Sequence, residues 1–493
     1  MKTKFMKKRL ILLFTLASLS CANASTYYVS PQGNNTNPGT ILKPFLTLQK
    51  GADMLKPGDT VFARTGTYKE RLFIRTVGTA SQPAVFINYA NEKPVINGEF
   101  IRPSGNTAST DPISGNTADD YGLVTIEGSF ITFSGFDIYQ SAGVGITVCN
   151  YANKPACHDN IIEKCFVHEC RNKGIWSLST LNINFSYNEV YHTANFAPYK
   201  RSSPDWPSCL QAYGCKGLKI IGNKVHENWG EGIGIWNDED VLAEGNTVYN
   251  NSSGNIYVDN GRNVTLSSNL IYDTNDPDFA GNNSPSDGIN IADEPTVTSQ
   301  GGNVRIYNNV IWGCLNSLRW RDFQTGSGMK DVLIANNTFV NPSFGRCIEI
   351  QAGNHQNISI VNNIFQQTRT SNSLINIGGT TSAFTFSNNL WSKDPGAPYK
   401  QASDVVGLPL LTETGTTTAG TLDKKWFMPT SKSPAIGKGK VIVEPLRDIN
   451  GITRASIVDI GAWEFAPITV LDRIKIPQNI SLHPNPSKKE INI

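Results

Sequence analysis

The stretch Asn263-Val264-Thr265-Leu266-Ser267-Ser268-Asn269-Leu270-Ile271-Tyr272 decides the fold. Alternation turns Val264 and Leu266 inward on one strand, Asn269 stands in a turn, and Ile271 opens the next strand, again inward. The same grammar recurs around Asn188, Asn223, Asn246, Asn309, Asn337, Asn363 and Asn389. Asn223, Asn246 and Asn269 stand 23 residues apart, and from Asn309 onward the intervals are 28, 26 and 26. Cys165 fills the same slot 23 residues before Asn188. A fixed period in this range marks a solenoid, in which each coil buries its apolar face against its neighbours. No helical segment separates the strands, which excludes a doubly wound α/β fold. The repeated Asn is read as structural: it tolerates left-handed backbone, and its amide can bond to the next Asn along the axis.

Composition agrees. Charged residues make up 17% of 493, and 43 residues are glycine, a turn-rich, helix-poor profile. Five of the 43 basic residues and none of the 41 acidic ones fall within residues 1–24. The remainder is faintly acidic, which argues against a nucleic-acid partner. Residues 1–24 read as a secretory signal: Lys7-Lys8-Arg9, the apolar run Leu10 to Leu19, then Ala22-Asn23-Ala24 before Ser25. The apolar run is too short to span a bilayer, and no membrane span is expected elsewhere. Export permits disulfides, and Cys149 with Cys157 or Cys209 with Cys215 could close short loops. Cys165 is read as a buried thiol.

Residues 25–120 form an N-terminal cap and first coils. Thr47 to Leu55, apolar at 48, 52 and 55 and stopped by Pro57-Gly58, predicts a short helix covering the first coil. Tyr27-Tyr28-Val29-Ser30-Pro31-Gln32-Gly33, Pro57-Gly58-Asp59-Thr60-Val61 and Gly66-Thr67-Tyr68 resemble the N-terminal module of secreted bacterial right-handed parallel β-helix proteins of the pectin-lyase-like superfamily, a group with chondroitinase-B-like and pectate-lyase-like members. The resemblance implies an all-β, right-handed parallel β-helix. The β-helix proper is expected over 121–395. In 396–465, Ser433-Pro434-Ala435-Ile436-Gly437 and Val458-Asp459-Ile460-Gly461-Ala462-Trp463-Glu464 resemble the closing segment of such proteins, a C-terminal cover. Residues 466–493 form a linker and a segment, Ile480 to Ser487, similar to the start of the C-terminal sorting domain read by the type IX secretion system. The implied chain is a secreted monomer, passing the periplasm toward the cell surface with the secretion machinery as partner.

Aligning coils on Ile175, Leu210, Ile233, Ile256, Ile289, Leu318 and Ile348 builds columns on one outer face. One holds Lys173, Ser208, Glu231, Gly254, Asp287, Asn316 and Arg346. A second holds Trp176, Gln211, Gly234, Tyr257, Asn290, Arg319 and Glu349, and is expected to face solvent. A third holds Leu178, Tyr213, Trp236, Asp259, Ala292, Arg321 and Gln351. Glu231, Asp259, Asp287, Arg319 and Arg321 are the candidate catalytic groups. Lys173, Trp176, Trp236, Tyr257, Asn290 and Arg346 are candidate glycan contacts, since aromatic faces take sugar rings and arginines take uronate carboxylates. Asp259, Asp287 and Asp293 are candidate oxygen ligands for calcium (Ca2+). Three chemistries compete on this face. A lyase needs a base and a cation beside a uronate, for which Lys173, Lys200, Arg201, Arg319, Arg321 and Lys330 are available. An inverting hydrolase would use Glu231 with Asp259 or Asp287, two rungs separating Glu231 from Asp287. A polysaccharide-binding surface protein needs neither. Insertions at 194–208, 273–286 and 322–329 are expected to wall the face.

Overall fold

The computed structural model describes residues 24–101, 122–149, 157–194, 207–280, 284–295, 300–454 and 456–465. The signal segment, Lys200, Arg201 and the sorting segment lie outside the described residues. The strands assemble into three parallel sheets of 13, 11 and 13 strands, visited in rotation by the chain. The first sheet runs from Thr26–Val29 to Phe384–Ser387, the second from Leu72–Ile74 to Ile375–Ile377, and the third from Gly66–Tyr68 to Val405–Val406. Inward residues meet as one continuous core: Val241, Val264, Val304 and Val332 stack on the first sheet, and Ile233, Ile256 and Ile289 on the second. No helix among the described residues is long and apolar enough to cross a membrane.

The asparagines form a ladder buried in the turn between the first and third sheets. Each Nδ2 from Asn188 to Asn363 donates to the Oδ1 of the next Asn at 2.9–3.2 Å. Asn246 shows the full pattern. Its Oδ1 accepts from the backbone N and the Nδ2 of Asn223, and its Nδ2 also donates to the Ile220 carbonyl. The backbone N of Cys165 donates to Asn188 Oδ1, so the thiol residue begins the row. At the other end Asp404 accepts from the backbone N of Asn389 and from Trp391 Nε1, both at 2.9 Å.

One detail differs from the sequence reading. The left-handed residue is not the ladder Asn but the one before it: Tyr187, Gly222, Gly245, Ser268, Asn308, Asn336, Asn362 and Asn388 all have positive φ. The ladder Asn must keep its side chain inward, so the preceding residue absorbs the bend. In the later coils that residue is itself Asn, and it grips the C-terminal segment. Asn308 Nδ2 donates to Arg447 O, Asn336 to Asp459 O and Gly461 O, Asn362 to Lys440 O, and Asn388 to Lys438 O. The segment beyond residue 407 is thereby fastened along the outside of the third sheet, where Leu411, Leu422, Phe427, Ile449, Ile460 and Trp463 pack on Tyr249, Tyr272, Val310, Val340 and Ile364.

At the N-terminal end the helix Leu48–Met54 covers the open edge of the second sheet. Thr47 caps it, and Gln49 imitates a missing strand: its Oε1 accepts from Phe73 N at 2.9 Å and its Nε2 donates to Phe73 O at 3.1 Å. The described cysteines after the signal are all free and buried, so neither expected short loop is closed. Burial pushes the Cys165 thiol up to about 12, leaving it chemically inert.

Removing one rung of the ladder strands donors and acceptors on both sides. Asn246→Ala should cost about 3 kcal/mol in denaturant unfolding, whereas the exposed Asn91→Ala should cost less than about 0.5 kcal/mol.

Candidate functional site on the second sheet

The expected columns are present in register. Trp176, Gln211, Gly234, Tyr257, Asn290, Arg319 and Glu349 pair in sequence across the second sheet. Tyr213, Trp236, Asp259, Ala292 and Arg321 do likewise, and Glu231 lies between Ser208 and Gly254. Glu231, Asp259, Arg319 and Arg321 therefore share one face. Adjacent rungs are about 4.8 Å apart. Lys330 does not join them, because it starts a strand of the first sheet.

The expectation that the middle column faces open solvent is corrected. Trp176, Gln211, Tyr257 and Asn290 are all buried, as are Glu231, Asp259, Asp287 and Asp293. Large side chains at this spacing cover one another, and loops rise at both edges. On the edge toward the third sheet, Phe279 of the 273–286 insertion packs on His192 and Trp229, and Trp229 Nε1 donates to Asp278 O. On the other edge the 322–329 insertion folds over Asn354 and Gln351. The face is the floor of a groove.

Within it the side chains segregate by charge. Ser208 Oγ donates to Glu231 Oε2 at 2.5 Å. Gly234 makes that bond possible: a Cβ there would sit 2.0 Å from Ser208 Oγ. Trp236 and Tyr257 meet edge to face at 6.2 Å, and Tyr257 Oη donates to Glu294 Oε1 at 2.5 Å. Asp259 Oδ1 accepts from Glu294 N at 2.9 Å. Burial pushes the Asp259 carboxyl up to about 7; the Glu294 backbone donor opposes this, and the charges of Glu294 and Asp293 reinforce it. Two rungs on, Arg319 Nη1 and Arg321 Nη2 converge on Asp287 Oδ2 at 3.4 and 2.9 Å, and Asn316 donates to its Oδ1 through Nδ2 at 2.8 Å. Ala292 stands between Asp259 and Arg321 in their column.

Three nominated roles change. Asp287 has both oxygens engaged and a side chain 1% exposed, so it is the counter-charge of two arginines, not a base for water. Asp259, Asp287 and Asp293, the calcium candidates, are engaged separately: Asp259 Oδ1 accepts from Glu294 N, Asp287 meets the arginines and Asp293 Oδ1 accepts from Gly301 N. Arg346 is held by Glu349 at 2.6 Å and Ser373 at 2.7 Å, beyond the arginine pair. Lys173 lies over the Trp176 ring at 4.8 Å, at the opposite end of the groove. Sequence reasoning missed Glu294 and the partnership of Ser208. Glu294 follows the periodic strand by two residues, so no column contains it; Ser208 was in a column but neutral.

A perturbed carboxyl alone does not mark the site. Asp238 is also raised by burial, yet its oxygens cap the turn through Cys215 N and Trp236 N. Nor does volume: a cavity of about 900 Å3 lies between the C-terminal segment and the turns at Gly245 and Asn308, away from this groove. Chemistry singles out the second sheet. Among the described residues, its outer columns hold Gln211 Oε1, Trp236 Nε1, Asn290 Oδ1, Arg319 Nε and Arg321 Nε as buried side-chain atoms without a hydrogen-bond partner, with His168 Nδ1, Asn184 Oδ1 and Trp463 Nε1 scattered elsewhere.

Comparison with known proteins agrees with this architecture. Residues 27–205 match a family model described as the Pel9A-like right-handed beta helix region, and residues 208–390 match one described as a right-handed beta helix region. The solved structure of pectate lyase Pel9A superposes with a TM-score of 0.50 at 20% identity, covering 89% of this chain and 96% of that one. XylC in complex with xylose gives a TM-score of 0.52 at 11% identity, covering 90% and 98%. This is a right-handed parallel β-helix. Among curated relatives, uncharacterized protein YwoF of Bacillus subtilis (strain 168) is 35% identical over 135 residues, 27% of this chain and 28% of its own length. Pectate lyase PEL9 of Emericella nidulans is 35% identical over 106 residues, 21% of this chain and 25% of its own length. The chain thus spans about a quarter of the length of these relatives.

The raised Asp259 carboxyl has a stability consequence. Its folded value lies near 7 against an unfolded value of about 3.9. The folded state holds the proton between those values, so this site's contribution falls as pH rises from 4 to 7 and stays at its minimum above. Asp259→Asn removes the penalty. Its thermal unfolding should match wild type near pH 4 and show a gain on the order of 2 kcal/mol at pH 8.

Proposed function

We propose that the protein is a carbohydrate-active enzyme that cleaves a uronate-containing polysaccharide by β-elimination in the groove of the second sheet. The observation that carries this reading is the placement, on either side of Ala292, of a carboxyl that burial raises to about 7 and of two arginines that share one carboxylate. The kinship of two stretches to pectate lyases supports it.

β-Elimination asks for three things. A cation must neutralise the uronate carboxylate, so that the neighbouring C–H becomes acidic and charge can build on the carboxyl oxygens. Arg319 and Arg321 share one counter-ion, Asp287, and so present surplus positive charge. A base must take that proton, and a carboxyl with a value near 7 is ionised often enough at neutral pH yet basic enough to act. Asp259 fills this role. The electron pair then forms the carbon–carbon double bond and expels the glycosidic oxygen, which takes up a proton. Glu231, held by Ser208 on the preceding rung, is the group assigned to that transfer. Trp236 and Tyr257 supply the apolar floor for the sugar ring.

A hydrolytic reading is favoured by the same value at Asp259, which also suits a general acid. The two differ in sign. As a base, Asp259 must lose its proton, so kcat/KM rises through about pH 7; as an acid, kcat/KM falls through the same value. Export belongs to the proposal through Lys7-Lys8-Arg9 and the apolar run behind it, with the sorting-like segment Ile480 to Ser487 as a route to the cell surface.

The test is absorbance from the unsaturated uronide product. We expect turnover that rises through pH 7, is abolished in Asp259→Asn, and drops by about 10²–10³ in kcat for Arg321→Ala. Reducing-end release without that absorbance, falling through pH 7, would overturn elimination in favour of hydrolysis.

A further inference from the structure

We infer that the outer side of the C-terminal segment, at Val441, Val443, Leu446 and Ile457, docks on a lipid membrane that carries anionic headgroups. The surface lies away from the groove, and nothing in the inference depends on the chemistry proposed there.

The two sides of this segment differ. Inward, Ile449, Ile460 and Trp463 pack on the third sheet. Outward, the same stretch exposes Val441, Val443, Leu446 and Ile457, with Val443 89% and Ile457 71% exposed. Single exposed aliphatics are ordinary on a protein surface, whereas several gathered on one short stretch mark an interaction site. Antiparallel bridges join Gly439 to Val458 and Arg447 to Thr453, which sets Ile457 opposite Lys440 and next to Val441.

The backbone holds these side chains outward. Lys438 O accepts from Asn388 Nδ2 at 3.0 Å. Lys440 N donates to Asn362 Oδ1 at 2.7 Å, and Lys440 O accepts from Asn362 Nδ2 at 2.8 Å. On the far side of the turn, Arg305 Nε donates to Glu444 Oε1 at 2.9 Å, and Pro445 is buried. The turn at Val441 to Val443 is therefore pinned at both ends to the coils. Its ordering is completed on folding, so little is lost on docking.

Charge names the partner. Lys432, Lys438, Lys440 and Arg447 flank the aliphatics and are all exposed. The acids within 432–458 are Glu444 and Asp448. Glu444 is paired with Arg305, and Asp448 is buried with its oxygens accepting from the backbone N of Asn450, Ile452 and Glu464. A second copy meeting the same patch across a two-fold axis would set these cations against their own counterparts. A soluble polyanion takes the cations but offers no apolar interior to Val443 and Leu446. An anionic bilayer satisfies both. The aliphatic tips enter the boundary between headgroups and acyl chains, and the lysines and Arg447 stay among the phosphates.

Co-sedimentation with vesicles tests this. The chain from Ser25 onward is used, so that the basic and apolar leader does not compete as a membrane binder. The vesicles are phosphatidylcholine alone, or phosphatidylcholine and phosphatidylglycerol in equal parts. Retention on the mixed vesicles should be about tenfold or more stronger than on the neutral ones, and should fall with added salt. Val443→Ser combined with Leu446→Ser should weaken it about tenfold. Lys438→Glu combined with Lys440→Glu should weaken it at least as much. All four side chains are exposed, so these variants should fold as wild type does. Leu42→Ser, which removes a 90% exposed aliphatic from the N-terminal cap, should leave retention unchanged. Absence of retention overturns the inference, as does equal retention on neutral vesicles. Undiminished retention of the serine variant also overturns it, and assigns the cations to a polyanion bound by charge alone. Self-association that the serine substitutions abolish, without vesicle binding, overturns it in favour of a second copy.

Discussion

Everything else in the molecule depends on the buried amide of one asparagine per coil reaching the amide of the next. A parallel sheet by itself permits slippage, because its backbone bonds repeat at every second residue. The ladder does not slip. Each Asn must donate to the Asn above and to a carbonyl of the coil below, and a shift would leave several buried groups without partners. Register fixed at this corner is register fixed on all three sheets. The outer columns of the second sheet inherit their alignment from a row of side chains on another edge of the coil.

That division of labour frees the outer surface. Inward positions repeat Val, Ile and Leu because each coil meets the same neighbours. Outward positions carry no such constraint, and the three outer faces take three uses. The third sheet is covered by the C-terminal segment, gripped by the first member of each Asn-Asn pair. The first sheet presents a column of Lys219, Leu242, Thr265 and Arg305, exposed at Lys219 and half-buried at the other three, with Arg305 paired to Glu444. The second sheet concentrates aromatic rings, acids and arginines between two loop walls.

The second-sheet groove is costly by the standards of the rest of the structure. It buries carboxyls near one another and leaves polar atoms without partners, where the ladder satisfies every group it buries. Such local expense, set on a scaffold of regular and well-satisfied coils, is the pattern expected of a binding or catalytic surface. Segregation of acids from arginines along the axis also gives the groove a direction, which a symmetric strip of charge would lack.

The sequence by itself determined the coil period, the inward residues, the parallel β-helix and the alignment of Glu231, Asp259, Arg319 and Arg321 on one face. Strand alternation and a repeat of nearly constant length are local properties, and stacking converts them into columns by addition alone. The sequence also placed the capping helix, since Leu48, Ala52 and Leu55 carry their own period. Only the tertiary structure decided what each group does. That Asp287 neutralises two arginines, that Glu294 crosses to Asp259 and Tyr257, that Asn308 and its counterparts hold a segment 50 to 139 residues away, and that the middle column is buried all depend on side-chain reach between coils and on loops without a period. Those contacts are long-range and aperiodic, and nothing in a repeat encodes them.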